Sequence, residues 1–240
     1  MNPFHPYSLF PLGDRGLLID FGNLIDENIN QKVLRLFDLL KKAAHPFITD
    51  LIPAYSSLSV CYDVTAIYPR KEKDLTVFET MAGVVEDFMN KEQEIIPTQG
   101  RQFNLPVCYT GKWAPDIQFV SRQNHISVED IIRLHTSQTY RVFMIGFLPG
   151  FAYMGQIDDR IAVPRKPKPQ DVLAGAVGIA GHQTGVYPLN APGGWHIIGR
   201  TPVKLFDKCK EPAVLLKPAD TIKFYSITED EFAHYQTGPA

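Results

Sequence analysis

The chain lacks the features that mark a nucleic-acid binder, a membrane protein or a disulfide-built secreted domain. Its 24 Lys and Arg nearly cancel its 26 Asp and Glu, for a net charge of -2. Phosphate backbones and anionic lipid surfaces both call for a concentrated positive field, so neither partner is expected. No apolar run approaches the ~20 residues of a membrane-spanning helix. The opening MNPFHPYSLF has no basic stretch followed by an apolar core, so no signal peptide is expected. The three cysteines, Cys61, Cys108 and Cys209, are odd in number, scattered and without metal-type spacing. They read as reduced core thiols of a cytoplasmic protein. No P-loop, dinucleotide fingerprint, Ser-His-Asp pattern or His/Cys cluster is present, and no metal site is expected.

What is there divides into two halves. Hydrophobic residues make up 45% of the chain and charged residues 21%, the composition of a globular protein with a sizeable core. The first hundred residues alternate strand and helix signals. GLLIDFG (16–22) reads as a strand. Asp26 then caps a helix whose Ile29, Val33, Leu36, Phe37 and Leu40 repeat at the spacing of one buried face. FITDLIPA (47–54) and SLSVCYD (57–63) read as two further strands. A second helix is expected from Asp74, with Val77, Met81, Val84, Val85 and Phe88 on one side, and QFNLPVCY (102–109) as the last strand. The order β-α-β-β-α-β predicts an α+β unit of the ferredoxin-like split βαβ type.

The charged, Pro/Gly-marked stretch NKEQEIIPTQG (90–100) is the expected boundary near Gly100, giving domains 1–95 and 96–240. Beyond it one helix is indicated by a capping box, Ser127 with Asp130, and by apolar Ile131, Ile132 and Leu134. Residues 146–202 carry no helical period, yet they hold ten of the chain's 17 glycines. Many short strands joined by Gly/Pro turns predict a mostly-β barrel or sandwich.

Several stretches in this half are candidates for chemistry. GFLPGFAYMG (146–155) is uncharged and rich in glycine and rings, which suits neither a strand interior nor a solvated loop. AGAVGIAGHQTGVYP (174–188) is too glycine-dense for an ordinary strand and reads either as bulges or close approach of a ligand or another backbone, or as simple barrel corners. Alternation within it sets His182 and Thr184 on one face and Gln183 and Tyr187 on the other. In APGGWHIIGR (191–200), a proline-glycine turn precedes a strand that places His196, Ile198 and Arg200 on one face and Trp195 and Ile197 on the other. VPRKPKPQD (163–171) holds Arg165, Lys166 and Lys168 on a proline-stiffened arm, either an anion-binding element or a solvated loop. His135 sits at the end of a predicted helix, where the negative helix end favours a protonated imidazole. It reads as a general acid or base, as a cap, or as a packing residue.

These blocks, from HTSQTYRVFMIGFLPGFAYMG through AVPRKPKPQDVLAGAVGIAGHQTGVYPLNAPGGWHIIGRTPVKLFD, together with the opening YSLFPLGDRGLLIDFG, resemble the KipI / allophanate hydrolase subunit 1 family. The resemblance implies an N-terminal α+β domain and a C-terminal cyclophilin-like β-barrel, with the GFxPGFxY stretch against the barrel's cleft. Family members include the B subunit of the prokaryotic ATP-dependent 5-oxoprolinase. That implies hydrolysis of 5-oxoproline to glutamate in a hetero-oligomer with the A subunit and the C subunit, the latter resembling allophanate hydrolase subunit 2. It also implies ATP used by the assembly rather than bound by this chain alone. His135, His196 and Arg200 are then the expected catalytic groups. Gly146, Pro149, Phe151, Tyr153, Arg165, His182, Gln183, Gly193 and Trp195 are the expected substrate-binding residues. A KipI-like inhibitor of a histidine kinase and subunit 1 of an allophanate hydrolase-type complex are the alternatives. A prolyl isomerase ranks last, since fold alone is poor evidence for activity.

Overall fold

Residues 4–90 and 100–237 are described by the computed structural model, and the chain divides into two units, 1–98 and 99–240. Most of the expected boundary stretch, 91–99, lies outside the described residues. In the first unit, β1 (Ser8–Pro11) and β2 (Gly16–Asp20) precede α1 (Glu27–Ala43), and β3 (Ile48–Pro53) and β4 (Ser57–Tyr62) follow it. A short α2 (Val64–Ile67) and the longer α3 (Val77–Asn90) come last. Asp26 caps α1 as expected, its carboxylate accepting the Ile29 N–H at 2.9 Å. Val33, Leu36 and Leu40 are buried, and Ile29 and Phe37 pack on the same cluster. α3 begins at Val77 rather than near Asp74. Thr76 and Glu79 close a reciprocal capping box, Thr76 N–H donating to Oε2 at 2.7 Å and Glu79 N–H to the Thr76 hydroxyl at 3.1 Å, which satisfies two otherwise orphaned donors at that turn.

The four strands form an antiparallel sheet in the order β1-β2-β4-β3. This corrects the ferredoxin-like split arrangement. The strand expected to complete it, β5 (Gln102–Cys108), lies in the second unit, and the fourth place in the first sheet belongs to β1. The reason is visible in β5 itself, where four consecutive residues from Leu105 to Cys108 are buried. A half-exposed sheet asks for alternating burial, whereas a strand covered on both faces tolerates a continuous run.

The second unit continues with α4 (Ile117–Asn124), α5 (Val128–Ser137), β6 (Thr139–Ile145) and β7 (Ala152–Gly155). β8 (Gln170–Val172), β9 (Ala176–Ala180), β10 (Gln183–Val186), β11 (Ala191–Gly193), β12 (His196–Arg200), β13 (Thr221–Ile227) and α6 (Glu229–Thr237) complete it. Seven strands close a barrel in the order β10-β7-β6-β13-β5-β12-β9, while β8 and β11 pair separately. β5 runs parallel to β13 and the other barrel pairs are antiparallel. The capping box of α5 is present, Asp130 N–H donating to the Ser127 hydroxyl at 3.0 Å.

Two apolar clusters share the strands β7, β9 and β12. Val107, Val142, Met154, Val177, Ile179, Val186 and Ile198 belong to the larger, interior cluster. Phe151, Val172, Ala176, Ala180, Tyr187, Trp195 and Ile197 form the other. Neighbouring residues of one strand fall into different clusters because successive side chains point to opposite faces. The second cluster is therefore the outward face of the barrel wall, and the candidate site is built on it. The thiols depart in part from the expected core placement: Cys108 is buried, Cys61 half-buried and Cys209 exposed, and none is in a disulfide. No helix among the described residues is long and apolar enough to cross a membrane.

Candidate functional site

The uncharged loop 146–151 is a tight reversal between β6 and β7, with Gly146 N–H donating to Phe151 O at 2.8 Å and Phe151 N–H to Leu148 O at 2.9 Å. It sends Phe151 under the outward face, where the ring is fully buried. Phe151 meets Tyr187 edge-on, with centroids 5.0 Å apart and planes at 83°, and Trp195 at 5.5 Å and 89°. Tyr153 lies 4.7 Å from Phe151. Edge-to-face pairs of this kind are favoured by the ring quadrupoles and give a rigid floor. Phe147 stays 59% exposed at the rim, 5.0 Å from Phe151. Glycine is obligatory at two points here. A Cβ on Gly146 would run into the Tyr153 ring, and one on Gly193 into the Tyr187 hydroxyl.

Above this floor opens a cavity of about 290 Å³ lined by Phe147, Tyr153, Arg165, Gln183, Tyr187 and Trp195, with Pro169, Pro192, Gly193 and Gly194 at its edges. Among the described residues, Arg165 is the one charged residue in that lining. Burial raises the Tyr187 phenol to about 12, against a smaller opposing pull from a Trp195 backbone hydrogen bond and from Arg165. Burial also raises Tyr153, again opposed by Arg165. Both phenols are therefore neutral hydrogen-bonding groups at neutral pH, beside a permanent guanidinium charge. The combination of aromatic walls, one cation, one side-chain amide and two phenols suits a small, flat, anionic ligand carrying an amide or carbonyl.

Of the residues expected to bind substrate, Tyr153, Arg165, Gln183, Gly193 and Trp195 line the cavity. Phe151 and Gly146 support it from below. Pro149 sits exposed at the loop tip. His182 does not join: its side chain is 58% exposed and its Nδ1 lies 3.1 Å from Asp159 Oδ1.

The three expected catalytic residues fall outside the cavity lining. His135 is fully buried. Its Nδ1 lies 2.7 Å from the Tyr109 hydroxyl and its Nε2 lies 2.9 Å from the Thr184 hydroxyl. Because Thr184 donates onward to Gly178 O at 3.1 Å, it accepts from His135. The imidazole is thus the Nε2–H tautomer and Tyr109 donates to Nδ1. Burial lowers its pKa from 6.5 to about 3, so the expected protonated imidazole gives way to a neutral one in the barrel core. Desolvation outweighs the helix end here.

A bulge interrupts β12 just before Arg200. β12 pairs Ile197 with Gly178 and then Gly199 with Val177, leaving Ile198 as the extra residue. A plain alternation keeps Arg200 on the face of His196, but the insertion moves it to the other, and one extra residue is enough to do so. Its guanidinium lies over Trp113 at 4.9 Å, and Nε donates to Ala174 O at 2.8 Å. His196 stays on the face opposite Trp195, stacked on Phe119 at 4.7 Å and 5°, with Nε2 3.1 Å from Pro164 O. Tyr187 and Phe147 line the cavity without having been expected there. The shared face of Gln183 and Tyr187 is the sequence signal that points to the first.

Residues 7–216 match the family model described as the carboxyltransferase domain, subdomain C and D. The chain belongs to this family. A 5-oxoprolinase B subunit of Bacillus subtilis (strain 168) is 38% identical over 96% of the chain and 97% of its own length. The crystal structure of TTHA0988 superposes with a TM-score of 0.73 at 33% identity, over 89% of this chain and 40% of that one. The urea amidolyase of K. lactis superposes at 0.75 with 18% identity over 95% of this chain and 15% of that one, a likeness of fold. This carboxyltransferase-domain sequence thus spans nearly all of the B. subtilis relative, but less than half of the other two.

Proposed function

We propose that the chain is the B subunit of a 5-oxoprolinase, working with the A and C subunits to hydrolyse 5-oxo-L-proline to L-glutamate at the expense of ATP. The observation that carries this reading is the 38% identity to a 5-oxoprolinase B subunit across 96% of the chain, combined with a cleft whose chemistry suits that ligand. 5-Oxoproline is a flat five-membered lactam with a carboxylate. Arg165 is the partner for the carboxylate, the aromatic floor takes the ring face, and Gln183 and Tyr153 offer hydrogen bonds to the lactam amide. Opening an amide requires an activated carbonyl and a proton for the leaving nitrogen. ATP, in the assembly, supplies activation by phosphorylating the lactam oxygen. The role assigned to this chain is to bind and orient the lactam.

The nucleotide is assigned to the partner subunits, since no glycine pattern in this sequence has phosphate-binding spacing. Coverage of only 40% of TTHA0988 shows that in that protein the corresponding region is part of a longer polypeptide, which agrees with a domain that works beside others. This reading includes a cytoplasmic setting, with which an ATP-dependent reaction is consistent.

The test is co-expression of the three subunits and an assay of glutamate release from 5-oxo-L-proline. ATP-dependent turnover by the assembly, with none from the isolated chain, is expected. Arg165→Ala should raise KM for 5-oxo-L-proline by roughly 10- to 100-fold, the worth of a charge-assisted hydrogen-bond pair. An assembly that turns over only other amides, or an unchanged KM in that variant, would refute the assignment.

A further inference from the structure

The arm carrying Arg165 is not the solvated loop its composition allows. Five contacts hold it in place. Val163 O accepts Gly181 N–H at 2.7 Å, and Lys166 N–H donates to Gly194 O at 2.8 Å. Pro164 O lies 3.1 Å from His196 Nε2. Lys166 Nζ lies 2.7 Å from Asp116 Oδ2 and donates to Gln170 Oε1 at 2.7 Å. The residues on either side of Arg165 are therefore both held, and Pro164 and Pro167 restrict the backbone around it further.

Asp116 is itself locked to β12, which begins directly after Trp195. Its Oδ2 accepts Ile197 N–H at 2.6 Å, and its own N–H donates to Ile197 O at 3.0 Å. The Asp116 and Lys166 side chains are only 18% and 12% exposed, so the pair is weakly screened by solvent. His196, bonded to a carbonyl through Nε2, must carry its proton there, and its Nδ1 is buried without a partner among the described residues. Phe119, stacked on the ring, covers it. None of these groups lines the cavity, yet each holds the arm whose Arg165 does.

We infer that the Asp116–Lys166 ion pair and the His196–Pro164 hydrogen bond form a latch that positions the Arg165 guanidinium for an anionic ligand group. Asp116, Lys166 and His196 are positioning residues, acting through Arg165. A latch of this kind settles the cost of ordering a long cationic side chain before the ligand arrives, which tightens binding without altering the chemical step. The inference rests on the reading of Arg165 as the anion partner, and its test separates the two.

In the assembled enzyme, with 5-oxo-L-proline as the probe, Lys166→Met and Asp116→Asn should each raise KM roughly tenfold, the worth of one charge-assisted bond, with kcat within about twofold. Asp116→Asn keeps an acceptor for Ile197 N–H and removes only the charge, so it serves if Lys166→Met folds poorly. Lys166→Arg should restore most of the affinity. In an Arg165→Ala background Lys166→Met should add nothing, because no side chain remains to be positioned. Independently of activity, the 15N relaxation of the Arg165 Nε–H in the isolated chain should report an ordered side chain that becomes mobile in either latch variant. An Arg165→Ala effect without any effect of the latch variants overturns the latch and leaves the ligand reading standing. Equal KM increases in both backgrounds, or unchanged Arg165 relaxation, also overturn it. An Arg165→Ala enzyme with unchanged KM overturns the ligand reading instead.

Discussion

Lowering the pH from 7 to 5 should weaken the barrel unit through His135 alone by about 2 kcal/mol. The folded imidazole titrates at about 3 because burial penalises its charged form, against an ordinary value of 6.5. The folded pKa is depressed, so the stabilisation is fully present above 6.5 and is lost as pH falls through the window from 6.5 to 3. In that window the unfolded chain binds a proton that the native chain refuses, and stability rises with pH. The slope reaches at most about 1.4 kcal/mol per pH unit, and between pH 7 and 5 it integrates to about 2 kcal/mol. Urea denaturation followed by tryptophan fluorescence reads this unit selectively, since both tryptophans, Trp113 and Trp195, lie in it. The chain has seven histidines, so the comparison is with His135→Leu. That variant starts less stable, having left Tyr109 and Thr184 without their bonds, but should lose about 2 kcal/mol less than the parent between the two pH values. The 15N shifts of the imidazole should also show one Nε2–H tautomer that does not titrate between pH 7 and 4. Identical pH dependence in parent and variant, or an imidazole titrating near 6.5, would refute the reasoning.

Asp220 is fully buried and accepts Arg101 N–H at 2.8 Å, Arg101 Nε and Nη2 at 3.3 and 2.7 Å, and Lys217 N–H at 2.9 Å. Asp220→Ala should therefore cost about 3 kcal/mol in urea denaturation, with a loss below 1 kcal/mol contradicting the arrangement. Gly193→Ala should cost roughly 1–3 kcal/mol by crowding Tyr187. It should cost less in a Tyr187→Phe background, where the hydroxyl it meets is gone, and strict additivity in that cycle would mean the two do not touch. Each unit has a buried cluster of its own, so fragments 1–98 and 100–240 should each show dispersed amide spectra and cooperative melting. A fragment 100–240 that stays unfolded would count against independent domains.

How the site is assembled shows where local reasoning works. Asp26, the Ser127–Asp130 box and the α1 stripe are legible because caps and apolar periods act within a few residues of themselves. The split between Gln183 and Thr184 is legible for the same reason, and it correctly puts Gln183 and Tyr187 on one face. β5 is legible as a strand but not as a member of the barrel, because pairing is a long-range choice that the strand's own residues do not record. Arg200 is displaced from its expected face by one bulge residue, Ile198, since a period-2 count has no way to register a residue of β12 that pairing with β9 leaves over. His135 lies at a helix end, as the sequence implies, but its neutrality comes from burial in the barrel core, where its hydrogen-bond partners Tyr109 and Thr184 are 26 and 49 residues away.

The sequence by itself determined α1 and α5 with their caps, the β-rich character of residues 146–202, and an uncharged aromatic loop that a strand interior could not hold. These are properties of spacing and residue type along a short stretch of chain. Only the tertiary structure decided that five of the expected binding residues converge on one cavity, that His196 stands behind it, and that Lys166 holds an arm rather than meeting solvent. Those outcomes depend on which segments distant in sequence lie side by side, and burial and register, which create them, exist only once the barrel has closed.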